Sequence, residues 1–467
     1  MKTFTVSVNE LEFGDRLVPT FYYYTKIIKI ENQKKGISYI ELGKHSKVSD
    51  GEHSHIPRNN VGGIRYLYGR NIKEGIVDYD PISDDSYIKP NDFKAFTRCH
   101  IKENDVLIAI YGTIGKSAVY RNEYIGTAGI PRHISNITLN KDAPITPEYL
   151  TSFFRSKIGK MQLFSVTTGN IQQLLSLKNL RKFEIPAIDQ TTMKIITAKE
   201  REAIECEIQA QAKIKEAREI FYQGIKCDLK AIKKEDSFSI RLSDLNIQNY
   251  WTSNYYNKLY VNTAEAIEKS NGIKTLRELV TAINGDEVGS DNYQEYVDRK
   301  SDDIPFIRTS DIVNNEVDLY PDYYIPKAAL ADIEQDVKPK DVIITKDGKV
   351  GCVGMITEED NVILSSGIEI LRLKEKAKKL GFTPEYLFIA LSTKEIGYYA
   401  AIRRTVVAST IPHLREDRLK DIEIPIEDPD NVAKITKLVD EAFKLKAKRK
   451  RIIRESDKLL DDYFNNQ

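Results

Sequence analysis

One long-range repeat constrains this chain more than any other feature. Asp105-Val106-Leu107-Ile108 has a counterpart in Asp341-Val342-Ile343-Ile344. At the same offset Gly112 and Gly115 meet Gly348 and Gly351. Thr146-Pro147-Glu148-Tyr149-Leu150 returns as Thr383-Pro384-Glu385-Tyr386-Leu387, and Glu184-Ile185-Pro186 as Glu423-Ile424-Pro425. Asn71-Ile72 and Val77-Asp78 face Asp311-Ile312 and Val317-Asp318, and Tyr22-Tyr23 faces Tyr255-Tyr256. A Thr-Pro helix start is common by itself, with Thr as N-cap and Pro in the first turn. Several anchors in one order, drifting by a few residues, are not. A period this long implies duplicated domains rather than a solenoid.

The expected class is α/β, more strictly α+β. Two similar globular domains with mixed β-sheet cores are separated by two long antiparallel coiled-coil helices, giving a pseudo-two-fold internal repeat. The expected boundaries are 1–188 for the first domain, 189–231 for a central helix, 232–428 for the second domain and 429–467 for a terminal helix. A chain of 467 residues with 41% hydrophobic content supports cores of that size. The 70 basic and 69 acidic residues leave a formal charge of +1, so a nucleic-acid partner requires basic residues segregated onto one surface. Cys99, Cys206, Cys227 and Cys352 form no Cys-x-x-Cys pair, which disfavours zinc and disulfide frameworks. Free thiols suit a reducing cytoplasm, and no run approaches membrane-spanning length.

In the first half, residues 1–30 read as one or two strands, with the Phe21–Tyr24 aromatics packing on a neighbour. Asp50 to Asn60 is a polar, turn-rich loop. His53 and His55 lie close enough for a metal, but two histidines do not make a site, and a polar contact loop with Arg58 fits better. Gly63 to Ile72 alternates like a strand that carries Arg70 and Asn71 to its far end. Arginine pairs with guanine and asparagine with adenine in two-pronged fashion, whereas the plainer role is a salt bridge and a turn. Gly112-Thr113-Ile114-Gly115-Lys116-Ser117 fails as a nucleotide loop, since Ile110 stands where a glycine is needed and β-formers follow. A tight turn between strands fits, leaving Lys116 to touch a backbone phosphate. Helix follows Pro147, and Thr167 to Leu174 opens another short helix.

The terminal helix has Ile435, Leu438, Ala442, Leu445, Arg449, Ile452, Ser456, Leu459 and Tyr463 at alternating spacings of three and four, a heptad seam. Lys444 to Arg451 forms a basic patch on its flanks. In the central helix Ile196, Ala203, Ala210 and Ala217 recur every seven residues, with Ile214 and Phe221 between them. The two helices are expected to pack antiparallel as a spacer of roughly 50–60 Å; the competing expectation is that each packs on its own globular half. In the second half, Ile304 to Ile312 corresponds to Ile64 to Ile72. Lys346-Asp347-Gly348-Lys349 is the counterpart turn. Residues that suit DNA contact are His53, His55, Arg58, Arg70, Asn71, Lys116, Arg132, Asn170 and Gln172 in the first half. Those in the second are Arg308, Thr309, Ser310, Lys346, Lys349, Arg403, Arg404 and Ser409. No Asn-Pro-Pro-Tyr-like string exists, so an adenine methyltransferase site is missing. Pro321-Asp322 with Asp336-Val337-Lys338 is too loose a match to a nuclease pattern, and no catalytic triad or carboxylate pair stands out.

Taken together, Ile304 to Ile312, Asp105 to Lys116, the two Thr-Pro-Glu-Tyr-Leu helices and the Ile-Pro closing strands resemble the specificity subunits of type I restriction-modification systems over nearly the whole chain. The Asp50-Gly51-Glu52-His53 loop also looks like target-recognition domains fused to single-chain restriction-methylation enzymes. The resemblance implies a non-catalytic chain with two target-recognition domains, each reading one half of a split double-stranded DNA sequence. The helices set the gap and dock two modification subunits. The chain itself binds no cofactor; S-adenosylmethionine, ATP and Mg belong to the modification and motor-nuclease partners. A scaffold or DNA mimic that holds the modification subunits without touching DNA is the alternative, and acidic heads would distinguish it. An enzyme with an unrecognised site is a third reading.

Overall fold

The computed structural model describes the whole chain except residues 1–4, 6–18, 59–61, 80–86, 168–173, 236, 246–251, 296–301, 409–410 and 467. Asn170, Gln172, Ser409 and the tryptophan at 251 therefore lie outside the described residues. The chain forms two compact units. The first comprises Met1–Ile208 with Arg449–Gln467, the second Gln209–Lys448. Each long helix thus contributes to both units.

The first unit is built on β1 (Ser38–Glu41), β2 (Ser46–Asp50), β3 (Ile64–Tyr66), β4 (Tyr87–Ile88), β5 (Val106–Ala109), β6 (Ser117–Val119), β7 (Ala128–Gly129), β8 (Ile134–Leu139) and β9 (Glu184–Ala187). A four-stranded antiparallel sheet runs β2-β8-β5-β6. A smaller mixed sheet runs β4-β3-β7, with β3 antiparallel to β4 and parallel to β7. Strand β1 pairs with β9. Every residue of β5 is buried, which explains its uninterrupted Val-Leu-Ile-Ala run.

The second unit contains β10 (Ile273–Thr275), β11 (Val280–Asn284), β12 (Gln294–Glu295), β13 (Ile304–Ile307), β14 (Ile312–Val313), β15 (Glu316–Val317), β16 (Tyr323–Ile325), β17 (Val342–Thr345), β18 (Val353–Met355), β19 (Ile363–Leu364), β20 (Ile368–Leu373), β21 (Val406–Ala408), β22 (Ile411–His413) and β23 (Glu423–Pro425). Its antiparallel sheet is β11-β20-β17-β18, strand for strand the order of the first unit. Its mixed sheet is β12-β16-β13-β19, where β13 is antiparallel to β16 and parallel to β19. Strand β10 pairs with β23 as β1 does with β9.

The repeat extends to single hydrogen bonds. Thr146 and Thr383 cap their helices by accepting from the Tyr149 and Tyr386 amides, both at 3.1 Å. The Tyr149 hydroxyl donates to the Pro186 carbonyl at 2.8 Å, and the Tyr386 hydroxyl to that of Pro425 at 2.9 Å. The capping threonines also meet a long helix, Thr146 at Thr197 (2.8 Å) and Thr383 at Thr436 (2.7 Å). Gly159 and Gly397 mark one more equivalence. An added Cβ would fall 1.9 Å from the Phe153 carbonyl oxygen in one and 1.6 Å from that of Leu391 in the other, so the next helix turns back too tightly for any side chain.

The central helix is Gln190–Gly224 and the terminal helix Pro429–Asn466. Within the first unit they run antiparallel, with Lys199 paired to Glu455 at 2.6 Å and Asp189 to the Tyr463 hydroxyl at 3.3 Å. Within the second, Lys213 pairs with Glu441 at 2.5 Å, and Gly224 lies against the Glu427 carboxylate. The antiparallel pairing holds, and packing of each helix only on its own half does not. The helices pair with each other, and they also enter each unit's core. Met193, Ile196, Leu460 and Phe464 join the first core. Ala210, Ile214, Ala217, Phe221, Val432, Ile435 and Val439 join the second. Each fully buried Leu or Phe contributes about 1.5–3 kcal/mol. The spacing that relates Glu184 to Glu423 also carries Ile196 onto Ile435, Ala203 onto Ala442, Ile214 onto Ile453 and Phe221 onto Leu460, all buried. Each unit therefore combines the first half of its own copy's helix with the second half of the other copy's.

Three expectations need correction. Residues 19–34 are helical, not strands, including a π-helical turn at Tyr24–Ile28. Tertiary packing overrides the β-favouring composition: Tyr24 is buried and its hydroxyl donates to Gln162 at 3.0 Å. The terminal seam keeps Ile435, Ala442, Arg449, Ile452 and Ser456 buried, but Leu438, Leu445, Leu459 and Tyr463 are only half-buried. Val439, Lys446, Ile453 and Leu460, each adjacent to a seam position, are more deeply buried, because the helix must face a core as well as a partner helix. The Lys444–Arg451 run is consequently split: Lys446, Arg449 and Lys450 are buried, and Lys444, Lys448 and Arg451 are exposed. Lys446 pairs with buried Glu316 at 3.1 Å, and Arg449 with buried Glu207 at 3.3 Å.

Candidate nucleic-acid interface

The candidate residues cluster where the mixed sheet of each unit meets the β5–β6 or β17–β18 turn. In the first unit the chain leaves β3 through a short turn, Gly69–Asn71. The Asn71 side chain accepts from the Tyr68 amide at 2.8 Å and donates to the Asp78 carbonyl at 3.1 Å. In the second, Asp311 does the same work, accepting from the Arg308 amide at 2.9 Å. Asn71 is therefore a turn-former rather than a base reader, the plainer of its two roles.

That turn presents cations on aromatic rings. The Arg58 guanidinium lies 4.1 Å from the Tyr66 ring centre and donates to the Tyr68 hydroxyl at 2.6 Å. Arg70, exposed, lies 4.6 Å from the Tyr68 ring. In the second unit Arg308 lies 4.1 Å from the Tyr323 ring, with Asp322 3.7 Å away. Arg403 repeats the pattern on Tyr255 at 4.7 Å. Stacking holds a guanidinium's planar fork in one orientation, so less freedom is lost when it grips a phosphate or a base edge. Thr309 is half-buried, while Ser310 and Lys349 are exposed beside it.

The neighbouring turns complete the surface. Thr113 donates to the Gly69 carbonyl at 3.1 Å, joining the β5–β6 turn to the arginine turn. Gly112 and Gly115 in that turn, like Gly348 and Gly351, have positive φ, which L side chains rarely adopt. The Tyr111 ring lies 5.2 Å from the His133 ring. Partial burial, and then the charge of exposed Arg132, pull the His133 imidazole below its usual range. His53 Nε2 sits 2.8 Å from Asp50, which also binds Arg98. Burial pushes the Asp50 carboxyl up, but Arg98 and His53 more than offset it, and it titrates below the ordinary aspartate range. His55 is exposed. Among the described residues no group of three or more His, Cys, Asp or Glu gathers as metal ligands.

Three candidates are misplaced for DNA contact. Lys116 and Lys346 are buried rather than offered to solvent, and Lys346 pairs with buried Glu369 at 2.9 Å. Arg404 is buried as well, donating to the Asp421 carbonyl at 2.9 Å and pairing with Glu423 at 3.0 Å. Lys346 is drawn inward by its ammonium donating to the Asn284 side chain and the buried Glu369 carboxylate. Sequence reasoning also missed Tyr66, Tyr68, Tyr323 and the Asp347–His413 pair. The alternation of Tyr66 and Tyr68 around Leu67 was the available signal for the first two.

Comparison with known proteins adds the following. A family model described as "Type I restriction modification DNA specificity domain" matches residues 268–453. No curated protein matches the chain. Among solved structures it is similar to the type I restriction-modification system S subunit from M. genitalium, with 11% identity, 92% of this chain and 91% of that chain covered, and a TM-score of 0.31. It is similar to the HsdS subunit from Thermoanaerobacter tengcongensis at 15% identity, covering 92% and 96%, with a TM-score of 0.28. A chain from a structure described as showing complex assembly and conformational transition of the type I R-M system has 15% identity, coverage of 92% and 97%, and a TM-score of 0.29.

Proposed function

We propose that this chain is a specificity subunit of a type I restriction-modification system, as the specificity-domain match over residues 268–453 supports, and that each of its units reads one part of a bipartite double-stranded DNA target. The observation that carries the reading is a duplicated frame with unlike tips. The matched specificity domain covers most of the second unit and ends just beyond it, and the first unit repeats the second's sheet order, its threonine caps and its tyrosine-to-carbonyl bonds. The tips differ: Arg58 and Arg70 on tyrosines in one, Arg308 on tyrosine beside an Asp–His pair in the other. One frame with two sets of contacting groups suits two different short sequences.

The paired helices dock two modification subunits, which supply S-adenosylmethionine and the methylation chemistry; a motor-nuclease partner supplies ATP- and Mg-dependent cleavage. This chain contributes recognition and no catalysis. Stacked arginines at both tips favour a reader over a DNA mimic, which requires acidic heads. The test is to produce the chain with its modification partner and map methylated adenines on random-sequence DNA. A motif of two specific parts separated by unspecified bases is expected. Binding should weaken steeply with salt, through phosphate contacts. Methylation of DNA by the isolated chain would contradict the proposal.

A further inference from the structure

Equivalent positions near the middle of the two long helices carry unequal charge. The spacing that carries Glu207 onto Lys446 also carries Ala210 onto Arg449 and Gln211 onto Lys450. Glu207, Lys446, Arg449 and Lys450 are all buried. The globular parts follow suit. Buried Glu316, between β14 and its closing valine, meets Lys446 at 3.1 Å, whereas the corresponding residue of the first unit is buried Ile76. There Glu207 pairs instead with Arg449 at 3.3 Å and accepts from the Tyr79 hydroxyl at 3.1 Å.

A second reversal lies two turns further along. Buried Arg155 pairs with Glu200 at 2.5 Å and with Asp457 at 2.7 Å. In the second unit Ser392 stands for Arg155 and Arg218 for Asp457. Arg218 donates to the Asn315 side chain at 2.9 Å and to the Ser392 hydroxyl at 3.4 Å. Arg449 on Glu207, Asp457 on Arg155 and Arg218 on Asn315 each join one copy of the repeat to the other. Self-pairing would undo them. Two first copies would set Arg218 against Arg155 and Ala210 opposite Glu207. Two second copies would gather two sets of Lys446, Arg449 and Lys450 and set Asp457 beside Ser392. A charge held out of water without its counter-ion is strongly unfavourable.

We propose that the buried faces of the long helices form a pairing code, in which each copy of the repeat accepts the other copy and rejects a second version of itself. The apolar positions do not make this choice, since Ile196 and Ile435, or Ala203 and Ala442, are the same residues and equally buried. The charges do, by penalising the wrong partner as well as holding the right one. A self-paired particle would carry two identical tips; the code keeps two unlike tips together. This inference concerns assembly and stands whether or not the tips read DNA.

The test starts from the full chain with a protease site placed between exposed Lys233 and Lys234. The folded protein is cut, unfolded in denaturant and refolded, and its pairs are counted by native mass spectrometry. Cross-paired fragments should exceed either self-paired product roughly 100-fold. Random proportions, or fragments that stay apart, would overturn the code. A second chain carries Lys446→Met, Arg449→Met, Lys450→Met, Glu207→Gln and Glu316→Gln. It exchanges the buried charges for neutral groups of similar volume, which buried ion clusters often tolerate. Its second fragment should then pair with itself about as often as with the first. If that fragment still pairs only with the first, packing rather than charge makes the choice, and the proposal fails.

Discussion

The two units share buried bonds and differ in what they hold toward solvent. Tyr149 and Tyr386 reach equivalent carbonyls, and Thr146 and Thr383 reach equivalent helix threonines. At the tips, Tyr111 on His133 in the first unit stands where Asp347 bonds His413 in the second. Even inside the long helices the chemistry changes while burial persists: Glu207 and Lys446 occupy corresponding positions, both buried, with opposite charge. The buried bonds hold one geometry in both units, and under the proposed reading the solvent-facing side chains are released to vary with the sequence each unit contacts.

The largest effect should come from that charge reversal. Glu316→Ala leaves Lys446 in the interior without its carboxylate and should cost about 3–5 kcal/mol, seen in denaturant unfolding as early loss of the second unit. Glu207→Ala should act alike on the first unit through Arg449. Equal destabilisation of both units by either change would break the comparison. Next come the tips. Arg308→Ala should weaken recognition of one half-motif roughly 5- to 100-fold, and Arg70→Ala that of the other. A uniform loss on all DNA would reclassify either residue as a phosphate contact.

Much of the frame was legible beforehand because it rests on local rules. Threonine before proline caps a helix, glycines at Gly112 and Gly348 permit positive φ, and small residues every seven marked the buried face of the central helix. The candidate interface was less legible. Arg58 and Tyr66, or Asp347 and His413, meet only after the sheets form, and no local spacing announces them. Lys116 and Lys346 read as surface lysines from turn chemistry, yet the fold buries both. The terminal seam was displaced because a heptad pattern assumes one packing partner, and this helix has two.

Smaller effects sharpen the equivalence. Tyr149→Phe and Tyr386→Phe should each cost about 1 kcal/mol by orphaning one buried carbonyl. Together they should add, since they lie in separate units. The smallest effect is acid dependence at Asp50. Its carboxyl is held below the ordinary range, so its contribution is complete above the unfolded value and fades as pH falls through the folded one. With half-exposed Arg98 as partner the contribution is about 0.5 kcal/mol. Asp50→Asn should flatten the stability profile of the first unit below about pH 4.

The most direct measurement is a swap of reading surfaces. Residues 304–413 are exchanged for those of a homologue with another target, and methylation motifs are mapped with the same modification partner. One half of the motif should change while the other half and the number of intervening bases stay fixed. A change in both halves, or a contiguous motif in either protein, would contradict two units that read independently.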